Sequence, residues 1–198
     1  MDTLTRDSDN QAPVRIESTL EPKIRGNIPR GLRGALFRNG PNPQFEPGPT
    51  YHPFLGDGMI HGFWLGEGKA RYANRYVRTP RWLTEHAAER PLFGGLGTPS
   101  DPSVEKILSG GANTHIVYHG GKLMALQEGS NPFELDKGDL SSKGWVETGG
   151  RFTAHPKIDP NNGSSRTRTA RGAHRSRLAW CIGRLILKTL PPVWSARP

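Results

Sequence analysis

The length and composition of this chain favour a turn-rich domain with a neutral body. Its 198 residues are enough to bury a core, and its 25 Gly and 18 Pro make up about a fifth of the chain, which disfavours long helices. Residues 1–160 carry 19 basic and 18 acidic side chains, whereas residues 161–198 carry 8 basic and no acidic ones. Nearly all of the formal charge of +9 therefore lies in residues 161–198. The nearly neutral residues 1–160 do not have the basic excess that is typical of a nucleic-acid-binding domain.

The N-terminal arm, residues 1–24, is polar and lacks the continuous apolar stretch of a secretory signal. The longest apolar run, residues 178–190, contains Arg184 and Lys188 and is shorter than the roughly 20 residues that span a bilayer. The single cysteine, Cys181, has no partner for an intramolecular disulfide. These features predict a cytoplasmic protein without a transmembrane span.

Two β-hairpins are predicted from apolar, β-branched and aromatic runs joined by glycine loops. The first pairs residues 59–65 with residues 70–77 across the loop Gly66-Glu67-Gly68. The second pairs residues 114–118 with residues 122–126 across His119-Gly120-Gly121. Extended segments and turns are expected over residues 28–53, and Gly56-Asp57-Gly58 is interpreted as a tight turn between strands rather than a phosphate loop.

The segment between the hairpins, residues 82–111, has weak patterning, and only residues 84–90 suggest a short helix. A third hairpin is expected to begin with a strand over residues 151–158 and the turn at residues 159–163. Residues 164–177 show no alternation of apolar and polar residues, so no partner strand is expected there. Repeated hairpins with few helices predict an all-β fold, either a propeller or a sandwich.

Six sequence blocks resemble the carotenoid cleavage oxygenase family and occur in the order found in that family. They are Pro29-Arg-Gly-Leu-Arg-Gly-Ala-Leu-Phe-Arg-Asn-Gly-Pro-Asn-Pro43, Phe54-Leu-Gly-Asp-Gly-Met-Ile-His61, Ala70-Arg-Tyr-Ala-Asn-Arg-Tyr-Val-Arg-Thr79, Ala112-Asn-Thr-His115, Leu123-Met-Ala-Leu-Gln-Glu128 and Phe152-Thr-Ala-His-Pro-Lys157. The resemblance covers about residues 25–163, which corresponds to the first third of a typical member. It implies an incomplete portion of a seven-bladed β-propeller.

The resemblance also implies an iron-dependent dioxygenase, whose intact members cleave a conjugated C=C bond with O2 to give two carbonyl products. In the family, four histidines from different blades hold Fe(II), and His155 matches the first of them. Glu128 matches one of three glutamates that accept a hydrogen bond from an iron-bound histidine. The other ligands have no counterpart here, so no complete catalytic site and no further cofactor-binding residue is predicted, and the chain itself is expected to be inactive and not to retain Fe(II).

The remaining histidines of the body do not match family ligands. His52, His61, His115 and His119 are interpreted as solvated or satisfied within the core, because their spacing fits no compact zinc motif. His174 lies in a segment without strand pattern and matches no ligand motif.

The division near residue 162 leads to three predicted regions: the arm 1–24, a partial propeller 25–163 and an Arg-rich, irregular tail 164–198. A shift of reading frame after residue 162 would explain the tail. Its alternative is a basic amphipathic helix around residues 178–190, in a non-catalytic protein that binds nucleic acid or an anionic membrane surface. For intact relatives the resemblance implies an apolar polyene, apocarotenoid or stilbenoid substrate, with peripheral membrane contact as an option and no specific nucleic-acid partner.

Overall fold

The computed structural model describes residues 14–47, 51–95, 97–148 and 152–158, together with the backbone of residues 165–166. Ten strands and one α-helix lie in these residues, which confirms the all-β prediction. The strands are β1 (Ser18–Leu20), β2 (Gly34–Asn42), β3 (Asp57–Gly66), β4 (Lys69–Tyr76), β5 (His115–His119), β6 (Lys122–Leu126), β7 (Phe133–Leu135), β8 (Ser142–Trp145), β9 (Lys157–Ile158) and β10 (Ser165–Arg166), and the helix is α1 (Pro80–Ala88). Short 3-10 helices span Pro53–Leu55 and Pro102–Val104.

The strands form two four-stranded antiparallel sheets and one two-stranded sheet. The first sheet has the order β1-β4-β3-β2, and the second has the order β5-β6-β7-β8. Both predicted hairpins are confirmed as β3-β4 and β5-β6, with bounds that differ by a few residues. Strand β1, which lies within the region predicted as the N-terminal arm, pairs with β4 and forms an edge of the first sheet.

The core lies between the two four-stranded sheets. Alternate side chains of the first sheet, including Ile60 and Ala73, pack in one buried cluster with Leu123, Ala125 and Phe133 of the second. The intervening side chains of β6 point the other way, because successive residues of a strand face opposite sides of the sheet. Each face of the second sheet is therefore apolar.

The two outer faces of this pair of sheets differ in what covers them. On the second sheet, Met124 and Leu126 are buried in a cluster with Ala154, against which Phe152 packs. On the first sheet, Leu36 is 68% exposed and Phe63 is 39% exposed. These two side chains line a groove of about 780 Å³. Part of this face of the first sheet is thus uncovered within the described residues, whereas Met59 and Tyr76 on the same face are buried against Trp82 of α1.

The prediction of a turn at Gly56-Asp57-Gly58 is wrong for its last two residues, which begin strand β3. The glycine is needed for close packing: a Cβ on Gly58 would overlap the carbonyl oxygen of Ala112. The Gly58 N–H donates to the Gly111 carbonyl at 2.8 Å, and the Asn113 side-chain amide donates to the carbonyls of Phe54 and Gly56 at 2.9 and 2.5 Å. The start of β3 is therefore fastened to the segment that leads into β5.

Helix α1 begins four residues earlier than predicted. Thr79 is its N-cap and accepts a hydrogen bond from the Trp82 N–H at 3.2 Å, and Pro80 occupies the first helical position, where its missing N–H costs nothing. The helix ends at Ala88, and Glu89 takes the left-handed conformation with φ of 53°. The predicted start at residue 84 did not take this Thr-Pro capping signal into account.

A buried polar cluster attaches α1 and the loop after it to the first sheet. Arg81 lies between two carboxylates, with Nε 3.7 Å from Asp57 Oδ1 and 3.4 Å from Glu85 Oε2. Glu85 Oε1 accepts hydrogen bonds from the N–H groups of Leu92 and Phe93 at 2.7 and 2.9 Å. Burial raises the pKa of Asp57 to about 6, although the Arg81 charge opposes this effect. Asp57 is therefore a carboxyl whose ionisation is costly in the folded state.

The third hairpin differs from its prediction on both sides. Residues 152–156 are not a strand, and β9 contains only Lys157 and Ile158, because Pro156 removes a backbone donor and the Thr153 hydroxyl accepts the His155 N–H instead of a neighbouring strand. The expectation of no partner strand was also wrong: β10 pairs antiparallel with β9. A ladder of two residues requires only backbone groups, so the missing side-chain alternation does not prevent it.

The contact beneath Gly58 leads to a stability prediction. Gly58→Ala should destabilise the chain by about 1–3 kcal/mol, because the added methyl group must push apart two backbones that are also hydrogen-bonded. Gly66→Ala is the matched control in the same strand, where a Cβ would meet open space. The measurement is soluble yield together with the thermal unfolding midpoint, and equal loss in both variants would contradict the prediction.

The buried carboxyl of Asp57 leads to a pH prediction. Its pKa is higher in the folded chain, about 6, than its ordinary value of 3.8, so the folded state binds this proton more tightly. This contribution to stability is present below about pH 4 and is lost as pH rises through 6. Asp57→Asn should reduce the fall in the thermal unfolding midpoint that is measured between pH 4 and pH 6. Asp139→Asn is the control and should leave this fall unchanged, because the Ser141 backbone N–H lowers the pKa of Asp139.

Candidate metal-ligand site

The residue predicted as an iron ligand, His155, lies between the second sheet and β9. Thr153 and Ala154 before it are buried, whereas the His155 side chain is exposed. The Thr153 Oγ1 accepts a hydrogen bond from the His155 N–H at 3.2 Å. This short side-chain-to-backbone bond defines the bend that turns the imidazole outward, away from the apolar cluster that holds Ala154 and Leu126.

Glu128, the predicted supporting glutamate, lies two residues after the end of β6 and is also exposed. Its Oε1 accepts a hydrogen bond from the Thr153 hydroxyl at 2.8 Å, and the neighbouring Gly129 N–H donates to the Phe152 carbonyl at 2.9 Å. The structure therefore brings the two predicted site segments together. The link between Glu128 and His155 runs through Thr153.

The structure places a second imidazole beside His155 that the sequence analysis set aside. The ring centroids of His115 and His155 are 6.0 Å apart, with 33° between the ring planes. Partial burial, and then the charges of His155 and Lys157, lower the pKa of His115 below its ordinary value. The sequence carries no signal that pairs these two histidines, because His115 opens β5 and His155 stands just before β9, and only the fold brings them together.

Of the other histidines, His61 and His52 each have a ring nitrogen within hydrogen-bond distance of a neighbouring group. His61 Nδ1 lies 2.8 Å from the Tyr72 hydroxyl, and burial, with the Arg38 charge, lowers its pKa. His119 is buried, and His52 Nδ1 accepts the Phe54 N–H at 3.2 Å. His174 lies outside the described residues.

The described residues do not fit the complete iron centre that the resemblance implies. Among them, no three His, Cys, Asp or Glu side chains are grouped so that they could hold a metal ion. His155 is exposed, and Glu128 is engaged by the Thr153 hydroxyl. An Fe(II) ion would need further nitrogen ligands from outside this set.

The paired antiparallel sheets with apolar faces define a part of a β-propeller, and comparisons with known proteins identify which kind. The model of the family described as Retinal pigment epithelial membrane protein matches residues 11–174. The chain belongs to this family, whose relatives include the carotenoid and stilbene cleavage oxygenases.

Curated relatives match along most of this chain but only part of their own length. An isoeugenol monooxygenase of Pseudomonas putida is 41% identical over 160 residues, which cover 76% of this chain and 33% of the relative. A carotenoid 9,10(9',10')-cleavage dioxygenase of Crocus sativus is 40% identical over 179 residues, with 77% and 33% covered. The chain spans about a third of the length of these relatives.

Solved structures of family members have a fold similar to that of this chain. The crystal structure of Pseudomonas brassicacearum lignostilbene dioxygenase has a TM-score of 0.71 at 33% identity, covering 78% of this chain and 34% of that one. A cobalt-substituted apocarotenoid oxygenase of Synechocystis has a TM-score of 0.66 at 31% identity, covering 79% and 37%. The fold is thus an incomplete portion of the family propeller. In the part of the chain that the structure describes, no helix is both long and apolar enough to cross a membrane.

The role of Thr153 can be tested directly. Thr153→Val should speed hydrogen exchange of the His155 amide about tenfold, because the change removes the hydroxyl that accepts this N–H and donates to Glu128. Thr84→Val is the control, since its hydroxyl bonds only to the Pro80 carbonyl in α1. Amide exchange resolved by NMR is the measurement, and unchanged exchange at His155 would show that Thr153 does not hold the bend.

Proposed function

We propose that this chain is the N-terminal portion of an Fe(II)-dependent oxygenase that cleaves a conjugated C=C bond with O2 to give two carbonyl products. The observation that carries the proposal is the position of His155, exposed on a bend that Thr153 and Glu128 hold, within a chain of this family. The names of its relatives support the reaction class, because two of them describe cleavage of carotenoids and of resveratrol and a third is a lignostilbene dioxygenase.

In this proposal His155 is one imidazole ligand of the iron, and Glu128 supports the ligand shell from outside. Outer carboxylates orient metal-bound histidines and raise their basicity. Glu128 is suited to this role because one of its oxygens, Oε2, is free of the Thr153 hydrogen bond that occupies Oε1. The cobalt-substituted relative supports a metal-dependent protein, since cobalt there takes the place of another metal.

The 198-residue chain by itself is proposed to be inactive and not to retain iron. One family ligand with an exposed imidazole cannot compete with water for Fe(II). For the intact enzyme, the proposed substrate is an apolar polyene, apocarotenoid, stilbenoid or propenylphenol. These are the classes that the names of the relatives span.

The boundaries at residues 24 and 163, the frame shift and the cytoplasmic location stay predictions. The tail helix proposed for nucleic-acid or membrane binding lies outside the described residues, and no observation on the described residues favours that alternative.

A chimera tests the proposed role of His155. Residues 14–158 of this chain replace the matching third of the Pseudomonas putida isoeugenol monooxygenase. We expect the purified chimera to contain iron and to cleave isoeugenol, and we expect His155→Ala to remove most of both. His86→Ala is the control, since His86 lies on α1 and contacts Gln44.

Iron content of the folded chimera is measured by elemental analysis, so the result does not depend on activity alone. An iron-loaded, active His155→Ala chimera would refute the ligand assignment. Stoichiometric Fe(II) and cleavage activity in the isolated 198-residue chain would refute the proposal that it is inactive.

A further inference from the structure

We propose that His115 and His155 form a two-imidazole chelating site that binds one transition-metal cation, such as Cu²⁺ or Zn²⁺, in this chain alone. The site shares His155 with the proposed iron centre, but it adds a nitrogen donor that the family resemblance does not assign. The inference depends on the geometry of this pair and does not require oxygenase activity.

The spacing of the two rings suits a shared ion. A metal held about 2.0 Å from each coordinating nitrogen lies about 3.2 Å from each ring centroid, so rings that share a tetrahedral metal have centroids about 5 Å apart. The observed separation is 6.0 Å, and the rings are tilted by only 33°. A closure of about 1 Å, within reach of small side-chain rotations of exposed residues, would complete the chelate.

Hydrogen bonds hold the backbone of both histidines in place. His115 begins β5, where it pairs with Leu126 of β6, and its carbonyl accepts a hydrogen bond from the Asn39 side-chain amide at 2.9 Å. His155 is held through its N–H by Thr153, which is bonded to Glu128. Little backbone order must therefore be created on metal binding, and this reduces the entropic cost of chelation.

The ring nitrogens are available. Both side chains are exposed, and within the described residues no hydrogen bond to a ring nitrogen of either histidine is present, unlike His61 and His52. Imidazole is a good ligand for Cu²⁺ and Zn²⁺, and Cu²⁺ binds most tightly in the divalent series. Lys157 is the charged group that opposes a cation here, since its charge acts on His115.

Copper titration of the 198-residue chain tests the pair. We expect His115→Asn and His155→Asn each to weaken Cu²⁺ binding by about tenfold or more, because each variant turns a chelate into a single donor. Lys157→Gln should tighten binding, since it removes the opposing charge. His86→Asn is the matched control on α1 and should bind like the parent chain. Electron paramagnetic resonance should report two imidazole nitrogens in the parent and one in each pair variant.

The outcomes separate this inference from the proposed function. Loss in His155→Asn alone would overturn the chelating pair and leave the iron-ligand assignment of His155 standing. Unchanged binding in both variants would show that copper binds elsewhere and would also overturn the pair. Conversely, equal loss in both variants with an iron-loaded His155→Ala chimera would support the pair and refute the iron ligand.

A measurement without substitutions covers the case in which a variant fails to fold. The parent chain is treated with diethylpyrocarbonate with and without Cu²⁺, and modified histidines are located by mass spectrometry. We expect copper to protect His115 and His155 together while His86 remains reactive. Protection of only one of the two, or of neither, would overturn the inference.

Discussion

The close passage of β3 beneath residues 111–113 is the contact on which the rest of the described structure depends. Gly58 has no room for a Cβ, and its N–H and carbonyl bond to Gly111 and to the Val77 N–H. This contact places the first sheet directly against the segment that enters β5, so that the apolar faces of the two sheets pack against each other. Asn39 extends the same junction, because its amide bonds the carbonyls of Ala112 and His115. The position of His115 therefore depends on contacts with Asn39 and, just before it in the chain, on the contact with Gly58, both of which are distant from it in sequence.

A short series of contacts connects that junction to the candidate metal-ligand site. Strand β6 carries two alternating apolar sets: Leu123 and Ala125 face the first sheet, while Met124 and Leu126 face Ala154. The burial of Ala154 brings Thr153 within hydrogen-bond distance of Glu128. Thr153 in turn holds the bend at which the chain turns outward to expose His155. The position of His155 is thus set by the packing of Ala154 before it and by the hydrogen bond from its own N–H to Thr153.

Sequence patterns predicted the parts of this structure that depend on local regularity. The β3-β4 and β5-β6 hairpins follow from apolar, β-branched and aromatic runs and from glycine loops with positive φ, such as Gly68 and Gly121. What the patterns missed depends on tertiary contacts. The pattern around Gly58 is typical of a turn, and only the approach of Ala112 shows why a glycine is needed there. The pairing of β10 with β9 joins backbone groups, which leave no pattern in the sequence. His115 has no motif of its own, and only the approach of His155 in space gives it a chemical role.

Two exposed features have the same architectural cause. In a radial stack, each sheet uses one apolar face for the sheet before it and the other for the sheet after it. The second sheet has both faces covered, whereas the outer face of the first sheet is open around Leu36 and Phe63. In the proposed iron centre, the imidazole of His155 would likewise meet other ligands only when further sheets bring theirs to it. The open groove on the first sheet and, in that proposal, the exposed ring of His155 are therefore two consequences of a chain that spans about a third of its relatives.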